Sequence, residues 1–207
     1  RRDAGKLSNL IALLAQQPID GNLALGHTRW ATHGRPSQQN AHPHSDASGE
    51  IVVVQNGIVE NYRELRESLQ AEGIEFRSET DTEVIVHLLA LNYSAAGGLA
   101  EAVRKTIGHL KGPSAIVAMT SREPDRLVAA RLGNAGGVAI GLGDGETFVA
   151  SDIPAILEHT RRMVFLEDGQ VALITRDGVQ VETLAGQAVK PEIHLIPWDP
   201  ISAAKGE

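Results

Sequence analysis

Apolar positions recur at two different periods along this chain, and the period changes near its middle. Leu7, Leu10, Ile11 and Leu14 lie on one face of a 3.6-residue repeat, so residues 6–16 predict a short amphipathic helix. Gly21 to Gly26 reads as a break leading into a short strand, and residues 27–49 carry little periodicity. Ile51-Val52-Val53-Val54 is an unbroken β-branched run that suits a strand covered on both faces, stopping at the turn dipeptide Asn56-Gly57. Tyr62, Leu65 and Leu69 predict a helix over residues 61–72, closed by Gly73. Phe76 is expected in a short strand. Thr80-Asp81-Thr82-Glu83 has the spacing of a capping box, with Thr80 as cap ahead of a helix through Val84, Ile85, Leu88 and Leu89. Another amphipathic helix is expected over 99–110.

Beyond Gly112 the pattern turns to short β-rich runs at 114–120, 126–131, 138–143, 147–151, 163–166, 171–175 and 179–183. The segment Glu167-Asp168-Gly169-Gln170 reads as a hairpin turn between the fifth and sixth of them. Helices in the first half and antiparallel strands in the second give an α+β pattern of sheets covered by helices. Pro191, Pro197 and Pro200 mark residues 186–200 as an extended linker leaving the domain. The expected division is a domain over 1–185 and a linker over 186–207. Neither end carries a starting Met or a closing element, so the chain reads as a fragment.

Composition narrows the function classes. Lys plus Arg number 19 against 26 Asp plus Glu, a formal charge of −7, which is not the footprint of a nucleic-acid binder. No apolar run approaches the length of a membrane span. A cytoplasmic protein is the expectation. Aromatics are 3 % of residues, so Ala, Val, Ile and Leu must build the core. Cysteines number 0, which removes disulfides, thiolate metal sites and any thiol nucleophile within these residues.

Four segments carry candidate chemistry. Arg29 beside Trp30 suits a bidentate carboxylate clamp with an apolar wall, or a surface Arg stacked on an indole. His27, His33, His42 and His44 invite a metal reading, but their spacing matches no common ligand pattern and a hydrogen-bonded rigid loop accounts for them as well. Asn56-Gly57 is either an ordinary turn or a pair of donors for an oxyanion. Asp81 in a first helical turn either complements the helix dipole or receives an ammonium. Together a guanidinium, a carboxylate and an amide pair would suit an amino-acid amide.

The stretches His27–Gly34, Asn40–His44, Asn56–Asn61 and Ser78–Glu83, in this order, resemble the glutaminase domain of the glucosamine-6-phosphate synthase family. Ala150-Ser151-Asp152 and Thr160-Arg161-Arg162 fit as well. Glu192-Ile193-His194, Trp198-Asp199-Pro200 and Ala204-Lys205-Gly206 look like the connector into that family's sugar-phosphate isomerase domain. The resemblance implies an N-terminal-nucleophile hydrolase fold, a four-layer αββα sandwich, here without its first strand and helix. It implies hydrolysis of L-glutamine, with ammonia passed to fructose 6-phosphate to make glucosamine 6-phosphate, and a homodimer formed through the isomerase domain. It assigns the glutamine carboxylate to Arg29 and the ammonium to Asp81, places Thr32 and His33 in the pocket with Trp30 beside it, and makes Asn56 and Gly57 the oxyanion hole. It implies no metal and no organic cofactor, while charge and hydropathy point to no nucleic acid and no membrane. The family nucleophile is an N-terminal cysteine whose own α-amine, with a pKa near 8, is the base. This chain contains no cysteine, so the 207 residues are expected to be inactive by that route. A phosphoribosyl-transferring amidotransferase and a non-catalytic glutamine-binding module are the competing readings.

Overall fold

The computed structural model describes residues 1–30 and 34–197, with the backbone alone at 94–96. Its helices are α1 (Leu7–Gln16), α2 (Tyr62–Ala71), α3 (Glu83–Ala96) and α4 (Leu99–Ile107). The strands are β1 (His44–Ser45), β2 (Ile51–Gly57), β3 (Ser114–Thr120), β4 (Arg126–Leu132), β5 (Ala139–Leu142), β6 (Thr147–Ala150), β7 (Arg162–Phe165), β8 (Gln170–Thr175), β9 (Gly178–Thr183), β10 (Ala188–Val189) and β11 (His194–Leu195). They form two antiparallel sheets, one ordered β1-β2-β3-β4-β8-β9-β10 and the other β11-β7-β5-β6.

The period-two alternation of the strands decides the layering. On β3, Ile116 and Ala118 turn toward α3 and α4, while Ala115, Val117 and Met119 turn toward the second sheet. On β4 and β8 the same division separates Val128, Ala130 and Val171 from Leu127, Ala129, Ala172 and Ile174. Ile140, Val164 and Leu166 answer them from the second sheet. That sheet's outer face, with Ala139 and Met163, is covered by Ile156, Leu157 and Ile196 around a 3-10 turn at Ile153–Ala155. The result is an α+β sandwich with two stacked sheets and a helical layer. Helix α1 stands apart from this packing. It forms where periodicity predicts it, yet none of its residues is buried, and Leu7 and Ile11 are each 59 % exposed.

Four sequence expectations are corrected. Residues 163–166 and 171–175 are not a hairpin: β7 pairs with β5 and β11, whereas β8 pairs with β4 and β9. The intervening turn crosses between sheets, and Gly169 N–H is tied to the Arg131 carbonyl and the Asp168 carboxylate to Gly133 N–H. Both flanking strands are covered on two faces, so their apolar runs carry no mark of which neighbour they pair with. The hairpin lies one turn later, where Thr175 pairs with Gly178.

Phe76 is not in a strand. It packs loosely against the helix-side core with the Arg66 guanidinium 4.3 Å from its ring centre and the His87 ring at 4.8 Å. No strand occupies 21–27 either. Finally, Thr80 is not the cap of α3. The helix starts at Glu83 after Thr82, and Thr80 Oγ1 is instead held by His44 Nε2 at 2.9 Å. Glu83 does reach back, but to the N–H groups of Arg77 and Ser78.

Two short pairings tie residues 186–197 to the sheets. Ala188 and Val189 pair with β9, and His194 and Leu195 with β7.

Candidate active site

β2 ends in a conformation that its last residue alone permits. Gly57 has φ +136° and pairs with Ser114. A Cβ there would lie 2.2 Å from the Pro113 carbonyl oxygen and 2.9 Å from the Ala135 Cβ. Positive φ and a blocked Cβ act together, so Gly57→Ala is expected to destabilise the fold by about 3 kcal/mol in urea unfolding. A loss below about 1 kcal/mol would show that the strand end relaxes freely. The preceding residue, Asn56, is exposed, and its amide nitrogen rests against Gly136, where a Cβ would approach to 2.5 Å.

A second polar group meets this strand end from the loop before α3. Asp81 is 4 % exposed, and its Oδ2 accepts the Val59 N–H at 2.8 Å. Beside it, Thr82 Oγ1 donates to Gln55 Oε1 at 2.6 Å, and Gln55 Nε2 donates to Ser114 Oγ at 2.9 Å. These bonds pin the 81–82 loop to both flanks of Asn56-Gly57.

Three imidazoles stack behind them. The His27 and His42 rings are 4.2 Å apart and nearly parallel, and the His44 ring meets His42 edge-on at 4.9 Å. His42 Nδ1 accepts the Gln55 N–H, so the ring is a neutral acceptor there. Burial, reinforced by the neighbouring His27, His44 and arginine charges, pulls His42 down to about 2. Burial brings His44 down to about 4, partly opposed by the Glu83 carboxylate. For Glu83, burial alone would raise the pKa; the His87 ring, the Arg77 and Ser78 N–H groups and the Ser78 hydroxyl outweigh it and hold it at about 2. Among the described residues no group of His, Asp and Glu is disposed to hold a metal ion.

Arg29, Trp30, Asn56, Gly57 and Asp81 line one cavity of about 1470 Å³, with His27, His42 and Thr82 in the same wall. Arg29 is half-buried and donates to the Gly34 carbonyl at 3.3 Å, while Trp30 is 93 % exposed at the mouth. Thr32 and His33 lie outside the described residues, as do Trp198 and the rest of 198–207. Sequence reasoning missed Gln55, Ser114, Thr82 and Gly136. Gln55 did leave a signal, as a polar residue directly after a β-branched run and ahead of Asn56-Gly57.

The sequence profile of the glutamine amidotransferase domain matches residues 15–184. The chain is 50 % identical over 202 residues to glutamine–fructose-6-phosphate aminotransferase (isomerizing) of Aquifex aeolicus, covering 98 % of this chain and 33 % of that protein. It is 49 % identical over 202 residues to the enzyme of the same name from Symbiobacterium thermophilum, covering 98 % and 32 %. The chain thus spans about a third of the length of these curated relatives. Among solved structures, glutamine phosphoribosylpyrophosphate amidotransferase from B. subtilis superimposes with a TM-score of 0.64 at 23 % identity, covering 86 % of this chain and 41 % of that one. That likeness is one of fold, the two-sheet sandwich of the N-terminal-nucleophile amidotransferases. With the profile spanning most of its length, the chain belongs to the glutamine amidotransferase domain family.

Proposed function

We propose that these residues are the glutamine-binding and glutamine-hydrolysing domain of a glutamine–fructose-6-phosphate aminotransferase. The observation that carries the reading is the meeting of a guanidinium, a carboxylate and a strand-end amide pair on one cavity from positions 29, 81 and 56–57. Arg29 receives the α-carboxylate of L-glutamine by paired N–H donors. Asp81, with one oxygen committed to Val59, offers the other to the α-ammonium. The Asn56 side chain and the Gly57 N–H face the oxyanion that forms when the amide carbonyl is attacked. The family resemblance assigns Thr32 and His33 to the same ligand and sets Trp30 beside it.

The identity to the two named aminotransferases supports fructose 6-phosphate as the acceptor of the ammonia, in a sugar-phosphate isomerase domain reached through residues 186–207. Dimerisation belongs to that domain, and the setting is cytoplasmic. The thiol that attacks glutamine lies outside these 207 residues, which contain none.

Calorimetry on the 207-residue chain tests the site. L-Glutamine is expected to bind, and Asp81→Asn to weaken it about 10- to 100-fold, the value of one charge-assisted bond of about 1.5–3 kcal/mol. 4-Carbamoylbutanoate, which lacks the α-amine, is expected to bind the unsubstituted chain and Asp81→Asn with similar, weak affinity. No heat with L-glutamine, or equal loss of both ligands on Asp81→Asn, would overturn the assignment.

A further inference from the structure

We infer that Gln55 is a positioning residue that sets the distance between the ammonium seat at Asp81 and the oxyanion donors at Asn56-Gly57; the inference rests on the glutamine reading above. Gln55 touches neither proposed ligand group. It is 4 % exposed and sits one residue before the donors, on the strand face turned away from Asn56. Its side chain is a bridge. Oε1 accepts from Thr82, the residue after Asp81, and Nε2 donates to Ser114, the register partner of Gly57. Its own N–H donates to His42 Nδ1, and the other nitrogen of that ring lies 3.4 Å from Thr82 Oγ1. Four residues on, Val59 N–H donates to Asp81 itself. The donor segment is therefore fastened to the Asp81 loop on both sides, once through Gln55 and once through Val59.

Thr82 is 2 % exposed and Ser114 1 %, so water cannot replace a partner that is lost. Removing the Gln55 carboxamide cuts the direct tie of that flank to Thr82 and Ser114, leaving the His42 contact, the backbone pairing with β3 and the Val59–Asp81 bond. Asn56-Gly57 then pivots relative to Asp81. Glutamine binding in the ground state draws on Arg29 and Asp81, which the pivot leaves in place. The oxyanion exists only in the transition state, so the displacement is felt there. A shift of about 1 Å at such a site costs up to about 100-fold in rate.

The test is steady-state glutamine hydrolysis by the intact amidotransferase that contains these residues together with its nucleophile. Gln55→Met keeps the chain length and removes both polar atoms. Thr82→Val and Thr82→Ser form a second pair, the first deleting the hydroxyl and the second keeping it. Gln55→Met and Thr82→Val are expected to lower kcat about 10- to 100-fold with the glutamine KM within about threefold. Thr82→Ser is expected to stay within about threefold of the unsubstituted kcat, and the double variant Gln55→Met/Thr82→Val to be no slower than the worse single variant. An unchanged kcat, a KM that rises as far as kcat falls, or equal damage from Thr82→Ser and Thr82→Val overturns the inference. Unfolding of both Gln55→Met and Thr82→Val, seen as loss of a cooperative melt, assigns the net to stability alone and overturns it too. If the unsubstituted enzyme neither binds nor hydrolyses glutamine, the underlying reading fails and takes this one with it.

Discussion

Purified as 207 residues, the chain is expected to bind L-glutamine and to release ammonia about a millionfold more slowly than a cysteine-bearing relative. A deficit of that order follows removal of the nucleophile from a hydrolase whose other groups are intact. In hydrolases stripped of their nucleophile, an oxyanion hole and substrate binding together sustain about 10³–10⁴-fold over the reaction in water. Cysteines number 0 in the sequence. The Thr82 hydroxyl is spent on Gln55 Oε1. Of the two imidazoles described in the cavity wall, burial holds His42 down to about 2 and also lowers His27, which makes both poor bases for activating a hydroxyl. Ammonia can be followed by coupled reductive amination of 2-oxoglutarate between pH 6 and 9, alongside an intact relative. A rate within tenfold of that relative would mean that these residues carry a nucleophile after all.

Acidification is expected to unfold the domain cooperatively before pH 4. An unfolded histidine titrates near 6.5, whereas His42 and His44 titrate at about 2 and about 4 in the folded chain. Below pH 6.5 the unfolded state therefore binds more protons than the folded one. The stability these rings allow is complete above that pH and is lost as pH falls toward the folded values. Each ring contributes up to about 1.4 kcal/mol per pH unit, so the pair lowers stability by about 5 kcal/mol between pH 6.5 and 4.5, comparable with the whole stability of an ordinary domain. Glu83 adds to the same trend at lower pH. Its folded value of about 2 lies below the ordinary 4.5, so its share is present above 4.5 and disappears as pH falls through 2. Urea midpoints at half-unit steps from pH 7 to 4 give the slope. His44→Gln, which can still bond to Thr80, is expected to flatten it by about half. A midpoint that stays constant from pH 7 to 4.5 would contradict the burial of these rings as neutral imidazoles.

How far the chain could be read in advance varied with the kind of signal. β3 was legible over its whole length because Ser114–Thr120 alternates between two apolar faces and is bounded by Pro113 and Ser121. Helix α4 was legible from Leu99, Val103 and Ile107 at helical spacing. The Glu167–Gln170 turn was misread because a turn sequence reports the local bend, not which sheet each arm then joins. Thr80 was misread for a related reason. Its spacing to Glu83 fits a local cap, but a buried His44 from 36 residues away takes its hydroxyl. Local propensity gave way to a long-range partner that no window around Thr80 contains.

At the site, the candidate residue types were readable and their grouping was not. Arg29, Asn56-Gly57 and Asp81 stood out as side chains or turns able to serve a carboxylate, an oxyanion and an ammonium. Each also had an ordinary structural reading, and no period or spacing joins positions 29, 56 and 81. Hydrophobic patterning settled the element types, the two faces of each strand and the α+β class, because burial on one face imposes a period that the chain writes locally. Which strands pair, which loop meets the end of β2, and the bridge from Thr82 through Gln55 to Ser114 arise only when the two sheets and the helical layer close on one another. Those contacts join residues 27 to 59 positions apart, and their geometry is set by packing and by the demand that buried polar atoms find partners.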